Sequence, residues 1–279
     1  MNSRKRVLAA LRHQEPDRVP IDLDGMRSTG IMAVAYNRLK AHLGIADGET
    51  KMYDIMQQLA HPEPPILERF GVDVLPLPRA SWGLDPANPA WKPWALPDGL
   101  ADHYTANLPR YLDAVGDYVQ IIQMGDDLGT QRGPQMSPRM YRQIIKPAHR
   151  QVYEYVKAHS GLYIFLHTCG SIYRLIPDLI EVGVDILNPV QISAAEMDPV
   201  RLKREFGQDV VFWGGGADTQ HVLPNATPEE VRQHVRELIE VFAPGSGYVF
   251  CQVHNIQANV PPENVVTMFE TALEFGRYS

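Results

Sequence analysis

From Tyr118 to the C-terminus, short runs of β-branched and aromatic residues alternate with longer stretches of helical periodicity. Tyr118–Met124 precedes a predicted helix over about Pro138–His159, and Leu162–Leu166 precedes one over Ile172–Val182. Asp185–Leu187 leads through a proline-containing loop to a helix near Asp198–Phe206. Val210–Trp213 meets the run Gly214–Gly216 and then the helix Pro228–Phe242. Tyr248–Val253 is followed by the helix Pro262–Phe275, with proline in the first turn and Gly276 just past the end. The stripes Val231, Val235, Leu238 and Val265, Met268, Phe269 are core faces of the last two helices. Strand–helix alternation of this kind implies parallel strands with right-handed crossovers, in a doubly wound sheet or a closed barrel.

The N-terminal third is less regular. Two strand candidates, Val19–Leu23 and Val72–Leu77, sit among helices predicted at about 3–13, 32–43, 51–60 and 64–70. Residues 78–108, rich in Pro, Trp and Asp, read as an irregular excursion, a hairpin and loop over one barrel mouth. With no repeat or linker, residues 1–279 are expected to form a single barrel domain. The count is about seven strands, one short of the eight in a TIM (β/α)8-type barrel, so a barrel of these residues lacks one strand–helix unit, and a doubly wound sheet stays open at this point. Such a barrel is open, closed by the 78–108 excursion, or completed by another subunit in a homo-oligomer.

Composition narrows the classes of partner. The formal net charge of −7 argues against nonspecific binding to nucleic acid or an anionic membrane. No stretch approaches the roughly 18 uninterrupted apolar residues of a membrane span. The N-terminus has a basic start without an apolar core, and reads as an amphipathic helix rather than a signal peptide. Cys169 and Cys251 do not make a disulfide framework in a chain of 279 residues. The expected location is therefore cytoplasmic, where a thiol is buried, reactive or a ligand.

Candidate chemistry collects where the predicted strands end, as it does in parallel α/β folds. The run Tyr163–Leu166 finishes in His167-Thr168-Cys169 before Gly170 and Ser171. Side chains two apart on extended chain point the same way, so an imidazole and a thiol emerge together, half of a tetrahedral zinc site. A third ligand is expected from another strand end, where His254 is favoured and Cys251 is the alternate. Asp126 and Asp127 are candidate catalytic groups, as a further ligand, an orienter of an imidazole or a proton carrier. Asp24, Asn188, Gln191, Gly215 and Asn255, from other strand ends, are candidate substrate contacts. His103, His149 and His221 stand in polar contexts and read as surface or cap residues.

Four segments carry a family resemblance: RVLAALRHQEPDRVPID, HTCGSI, WGGGADTQ and HNIQANVPPENV. Together they resemble the uroporphyrinogen decarboxylase superfamily, which holds the decarboxylase and zinc-dependent, corrinoid-linked methyltransferases on one (β/α)8 barrel. The arginine-rich segment by which the decarboxylase holds propionates is here Asp24-Gly25-Met26-Arg27-Ser28-Thr29-Gly30, with one arginine. The methyltransferase branch's HxCG is present as His167, Cys169 and Gly170, and counting back from Pro261-Pro262-Glu263-Asn264 puts its last ligand at His254, not Cys251. The resemblance implies zinc held by His167, Cys169 and His254, and a corrinoid brought by a partner protein. The implied activity is methyl transfer between that corrinoid and a small methylated or thiol substrate. A metal-free decarboxylase using Arg27 with Asp22 or Asp24, and a non-catalytic barrel subunit, are the alternatives.

Overall fold

The computed structural model describes residues 1–77 and 100–278. Its centre is a five-stranded parallel sheet, β4 (Ile121–Gly125), β5 (Tyr163–His167), β6 (Ile186–Asn188), β7 (Val211–Trp213) and β8 (Tyr248–Val249), paired in chain order. The register sets Gly125 beside His167 and His167 beside Asn188, so three strand ends lie at one level. The helices α5 (Pro138–Ile144), α6 (Lys146–His159), α7 (Ile176–Glu181), α8 (Pro199–Phe206), α9 (Pro228–Phe242) and α10 (Pro262–Phe275) fill the crossovers and follow the last strand. The fold is an α/β barrel of TIM type.

The sheet extends past β8 through two segments too short to form ladders. Ile21 bridges Phe250 in parallel, Asp22 N–H donates to Phe250 O at 2.9 Å, and Asp73 N–H donates to Ile21 O at 2.8 Å. Five strands and these two segments make seven positions among the described residues, with the expected strand 19–23 reduced to a single-residue bridge and 72–77 to one backbone hydrogen bond on it. Pro20 has no N–H to give, and the Ile21 N–H goes to the Asp73 carboxylate at 3.0 Å instead of to a ladder carbonyl. The Asp73 side chain is fully buried and is also paired with Arg6 and Arg18, tying α1 (Ser3–Leu11) to both segments.

Two layers of apolar packing follow from strand alternation. Phe165, Ile186, Val211, Trp213, Val249 and Cys251 point into the barrel and meet Val7, Ala10 and Leu11 of α1. The larger layer, including Ile164, Leu166, Leu187 and Phe212, packs outward against the helices. The turn after α1 lies at the N-terminal end of β8, where Glu15 accepts the Gly245 N–H at 2.9 Å. Helix α1 therefore floors the barrel.

Several expected elements differ. Residues 51–60 form a hairpin, β2 (Met52–Asp54) and β3 (Leu59–Ala60), which joins β1 (Ile31–Met32) in a small antiparallel sheet. Asp54 accepts the Gln57 N–H at 2.9 Å and closes the turn. Ile55 and Met56, at 73% and 81% exposure, supply no buried helical face. The helix expected over 138–159 is two helices, because Pro147 cannot donate to the preceding turn. That expected over 172–182 begins as a 3-10 turn at Tyr173–Leu175 before α7. Part of the supposed irregular excursion is the helix α4 (Leu100–Val115), which buries Leu108 and Leu112 one turn apart despite Pro109. The remainder of the excursion, with its expected hairpin over the mouth, lies outside the described residues.

Removing Asp73 leaves the part-buried Arg18 guanidinium without a carboxylate, takes one of the two from Arg6, and leaves the Ile21 N–H unpaired at the seam of the barrel. Asp73→Ala is expected to lower unfolding stability on the order of 3–5 kcal/mol, read from urea titration. A loss below about 1 kcal/mol, the level of exposed pairs, would show the seam to be held by packing alone.

Candidate metal centre at the barrel mouth

His167, Cys169 and His254 converge where β5 and the segment after β8 leave the barrel. Their donor atoms all lie within 4.8 Å of one another. Cys169 Sγ is 3.4 Å from His167 Nε2. Two ligands on one tetrahedral zinc, one sulfur and one nitrogen, stand about 3.5 Å apart. The donor set and spacing therefore fit a divalent cation.

The free nitrogen of His167 is set by its neighbour. Asn188 Nδ2 donates to Trp213 O at 2.9 Å, which turns Oδ1 toward His167 and Ser28. That oxygen accepts from His167 Nδ1 at 2.7 Å and from Ser28 Oγ at 3.1 Å. The proton of His167 is thus on Nδ1, and Nε2 presents a lone pair to Cys169. Burial, and next the His167 ring, hold the His254 imidazole below its ordinary pKa, which keeps it neutral and able to ligate. Burial, then Asp127, push the Cys169 thiol up to about 12. A bound cation reverses that preference, since a coordinated thiol loses its proton.

The turn that carries Cys169 is held by close backbone contact. Gly170 has φ +88, and a Cβ there would stand 2.5 Å from the backbone carbon of Gly129. Gln191 Oε1 accepts the Gly170 N–H at 2.7 Å. Asp127 Oδ1 accepts the Cys169 N–H at 2.9 Å and lies 3.9 Å from His167 Nε2. Asp126 turns the other way, accepting from His149 Nε2 at 2.9 Å. His149 is buried rather than a surface or cap residue, and its Nδ1 accepts the Tyr141 hydroxyl at 3.0 Å.

Cys251 is not part of this cluster of three. It is buried in the barrel interior, and burial followed by Asp22 raises its thiol well above the ordinary value. The predicted substrate contacts Asn188, Gln191 and Asn255 are engaged within the protein. Asn255 accepts the Gly30 N–H at 2.9 Å and donates to Gln57 at 2.6 Å. Gly215, with φ +72, packs so closely on Val190 that a Cβ would meet it at 2.9 Å. Asp24 is the predicted contact with a distinct setting: buried, in the left-handed region at φ +72, and bonded by Tyr53 and His61. Sequence reasoning missed Tyr53, His61, Ser28 and His149; their elements were misassigned or they lacked a motif.

Comparison with known proteins adds the following. Residues 96–275 match the family model described as Uroporphyrinogen decarboxylase (URO-D). Over 105 residues the chain is 30% identical to methylated-thiol–coenzyme M methyltransferase of Methanosarcina mazei, covering 37% of this chain and 26% of that protein. Over 74 residues it is 34% identical to uroporphyrinogen decarboxylase of Pseudoalteromonas translucida, covering 26% and 20%. Over 68 residues it is 37% identical to the same enzyme of Psychromonas ingrahamii, covering 24% and 18%. The matched stretches thus span about a quarter or less of these curated relatives. A solved methyltransferase from Methanosarcina mazei superposes with a TM-score of 0.55 over 99% of both chains at 14% identity, a likeness of fold.

Cobalt(II) titration checks the ligand set. Wild type and Cys251→Ala are expected to bind one ion with thiolate-to-cobalt absorption; Cys169→Ala should lose that band, and His167→Ala and His254→Ala should lose tight binding. Asn188→Ala, which frees the His167 tautomer, should weaken affinity by about 10–100-fold. Metal retained by His254→Ala but lost by Cys251→Ala would move the third ligand.

A second expectation concerns Asp22, fully buried against Trp213 Nε1 at 2.8 Å and Gly25 N at 2.7 Å. Burial raises its carboxyl to about 7. The folded state then binds more protons than the unfolded chain between about pH 4 and 7, so this group's contribution falls as pH rises through that window. Asp22→Asn should flatten the pH dependence of unfolding there, and an unchanged slope would remove Asp22 as its source.

Proposed function

Because this chain belongs to the uroporphyrinogen decarboxylase family, we propose that it is a zinc-dependent methyltransferase moving a methyl group between a small molecule and a corrinoid. The observation that carries the reading is the His167–Cys169–His254 cluster, with the lone pair of His167 directed to the thiol by Asn188. When bound, zinc supplies Lewis acidity: it lowers the pKa of a thiol or polarises the heteroatom that carries the methyl. His167, Cys169 and His254 would hold the ion. Asp127, against the Cys169 N–H, orients the thiolate ligand and can take a proton at its free oxygen. With one thiolate and two imidazoles the ligand set is harder than a two-cysteine set, which favours ether or amine donors beside thiols. The corrinoid arrives on a partner protein, and the reaction takes place in the cytoplasm.

Tetrapyrrole decarboxylation has weaker support. Its substrate's carboxylates call for cations at the mouth, and Arg27, the one arginine between Asp24 and Gly30, is paired with Asp54. Zinc-loaded protein given cob(I)alamin and a panel of methylated thiols, ethers and amines tests the proposal. Methylcobalamin formation that falls at least about a hundredfold in Cys169→Ala is expected. Activity indifferent to Cys169 and His254, or no zinc in the wild type even after supplementation, would sink it.

A further inference from the structure

The loop that bonds Asn188 and Asn255 carries a buried carboxyl that no part of the proposed chemistry uses. Asp24 ends the segment that follows Leu23, in the loop whose Ser28 bonds Asn188 and whose Gly30 N–H bonds Asn255, the residue after His254. It is 4% exposed. Oδ1 accepts the Tyr53 hydroxyl at 2.6 Å, and Oδ2 faces His61 Nδ1 at 3.4 Å. The Tyr53 and His61 rings stack at 4.3 Å. Both contacts come from neutral groups, since burial holds the His61 imidazole below its ordinary value, while Arg27 is drawn to Asp54. A carboxylate removed from water without a counter-charge is costly, and burial here pushes Asp24 up to about 7.

The left-handed backbone of Asp24, φ +72, shows that the chain holds this side chain in place at some cost. Glycine at position 30 leaves room beside this pair, because a Cβ there would stand 3.3 Å from Asp24 Oδ1 and 3.4 Å from the Tyr53 hydroxyl. The contact from His61 is the longest, and its side chain is 47% exposed, so it is the one an incoming group displaces. A methylated ammonium is weakly hydrated and is attracted both to a carboxylate and to aromatic faces.

Resting on the methyltransferase reading, we propose that Asp24, beside Tyr53, is the counter-charge for a cationic methylated nitrogen that displaces His61, so that the methyl donor is an amine or ammonium compound. The site selects against anionic donors by the same charge.

Calorimetry with trimethylammonium and tetramethylammonium chloride, and with tert-butanol as a neutral isostere, tests this on zinc-loaded and zinc-stripped protein. Saturable binding of the ammonium ions but not of tert-butanol is expected, weakened about tenfold or more in Asp24→Asn. His61→Ala should bind at least as tightly, which a damaged fold could not produce, and circular dichroism checks that Asp24→Asn is folded. No saturable binding, equal binding by folded Asp24→Asn, equal binding of tert-butanol, or loss of binding in His61→Ala would overturn the assignment. Zinc content of the same samples separates the two readings: zinc retained without ammonium binding overturns this inference alone, and ammonium binding without zinc overturns the metal reading alone.

Discussion

The Asn188 amide joins three barrel elements at the level where chemistry is expected. Its two ends differ: the nitrogen can only donate and the oxygen can only accept. Trp213 O takes the donor, so the acceptor is committed to His167 and Ser28. One side chain thereby fixes the tautomer of His167 on β5, the height of β7, and the loop that carries Asp24 and Arg27. It is buried, so each bond is protected from exchange with water. The mouth is held as a single polar unit rather than as separate loops.

Parity along the strands divides labour between the two cysteines. Inward positions of the barrel, Phe165, Val211, Trp213 and Val249, are large and apolar, and Cys251 is the same kind of position one step beyond β8. Three residues on, extended geometry gives way and His254 turns to the mouth beside Cys169. Adjacent Asp126 and Asp127 divide in the same way, one toward the helix layer and His149, the other toward Cys169.

Much of this was legible in the chain itself. Strand–helix alternation from β4 onward depends on periodicity, and α9 and α10 begin and end at residues with strong local preferences, Thr227 with Pro228 and Pro262 with Gly276. His167 and Cys169 could be paired because a period of two needs no tertiary knowledge. The hairpin at 52–60 was not legible, since Met52, Ile55 and Met56 mimic a helical stripe yet face solvent. Helix α4 was hidden by Pro109, whose breaking effect is offset by packing on α6. The partners of Asp24 and Asp126 depend on contacts between distant segments, and no local pattern announces Tyr53, His61 or His149. Asp73 is the extreme case, a carboxylate standing in for a strand's hydrogen-bond partner.

The floor made by α1 gives the barrel the form of a cup. With Val7, Ala10 and Leu11 packed on the inward residues, the base is filled among the described residues, and the open end of the sheet is the rim. The two reactants of the proposed methyl transfer would then take turns over the same small cluster, the first seated deep before a bulky second one covers the opening above it.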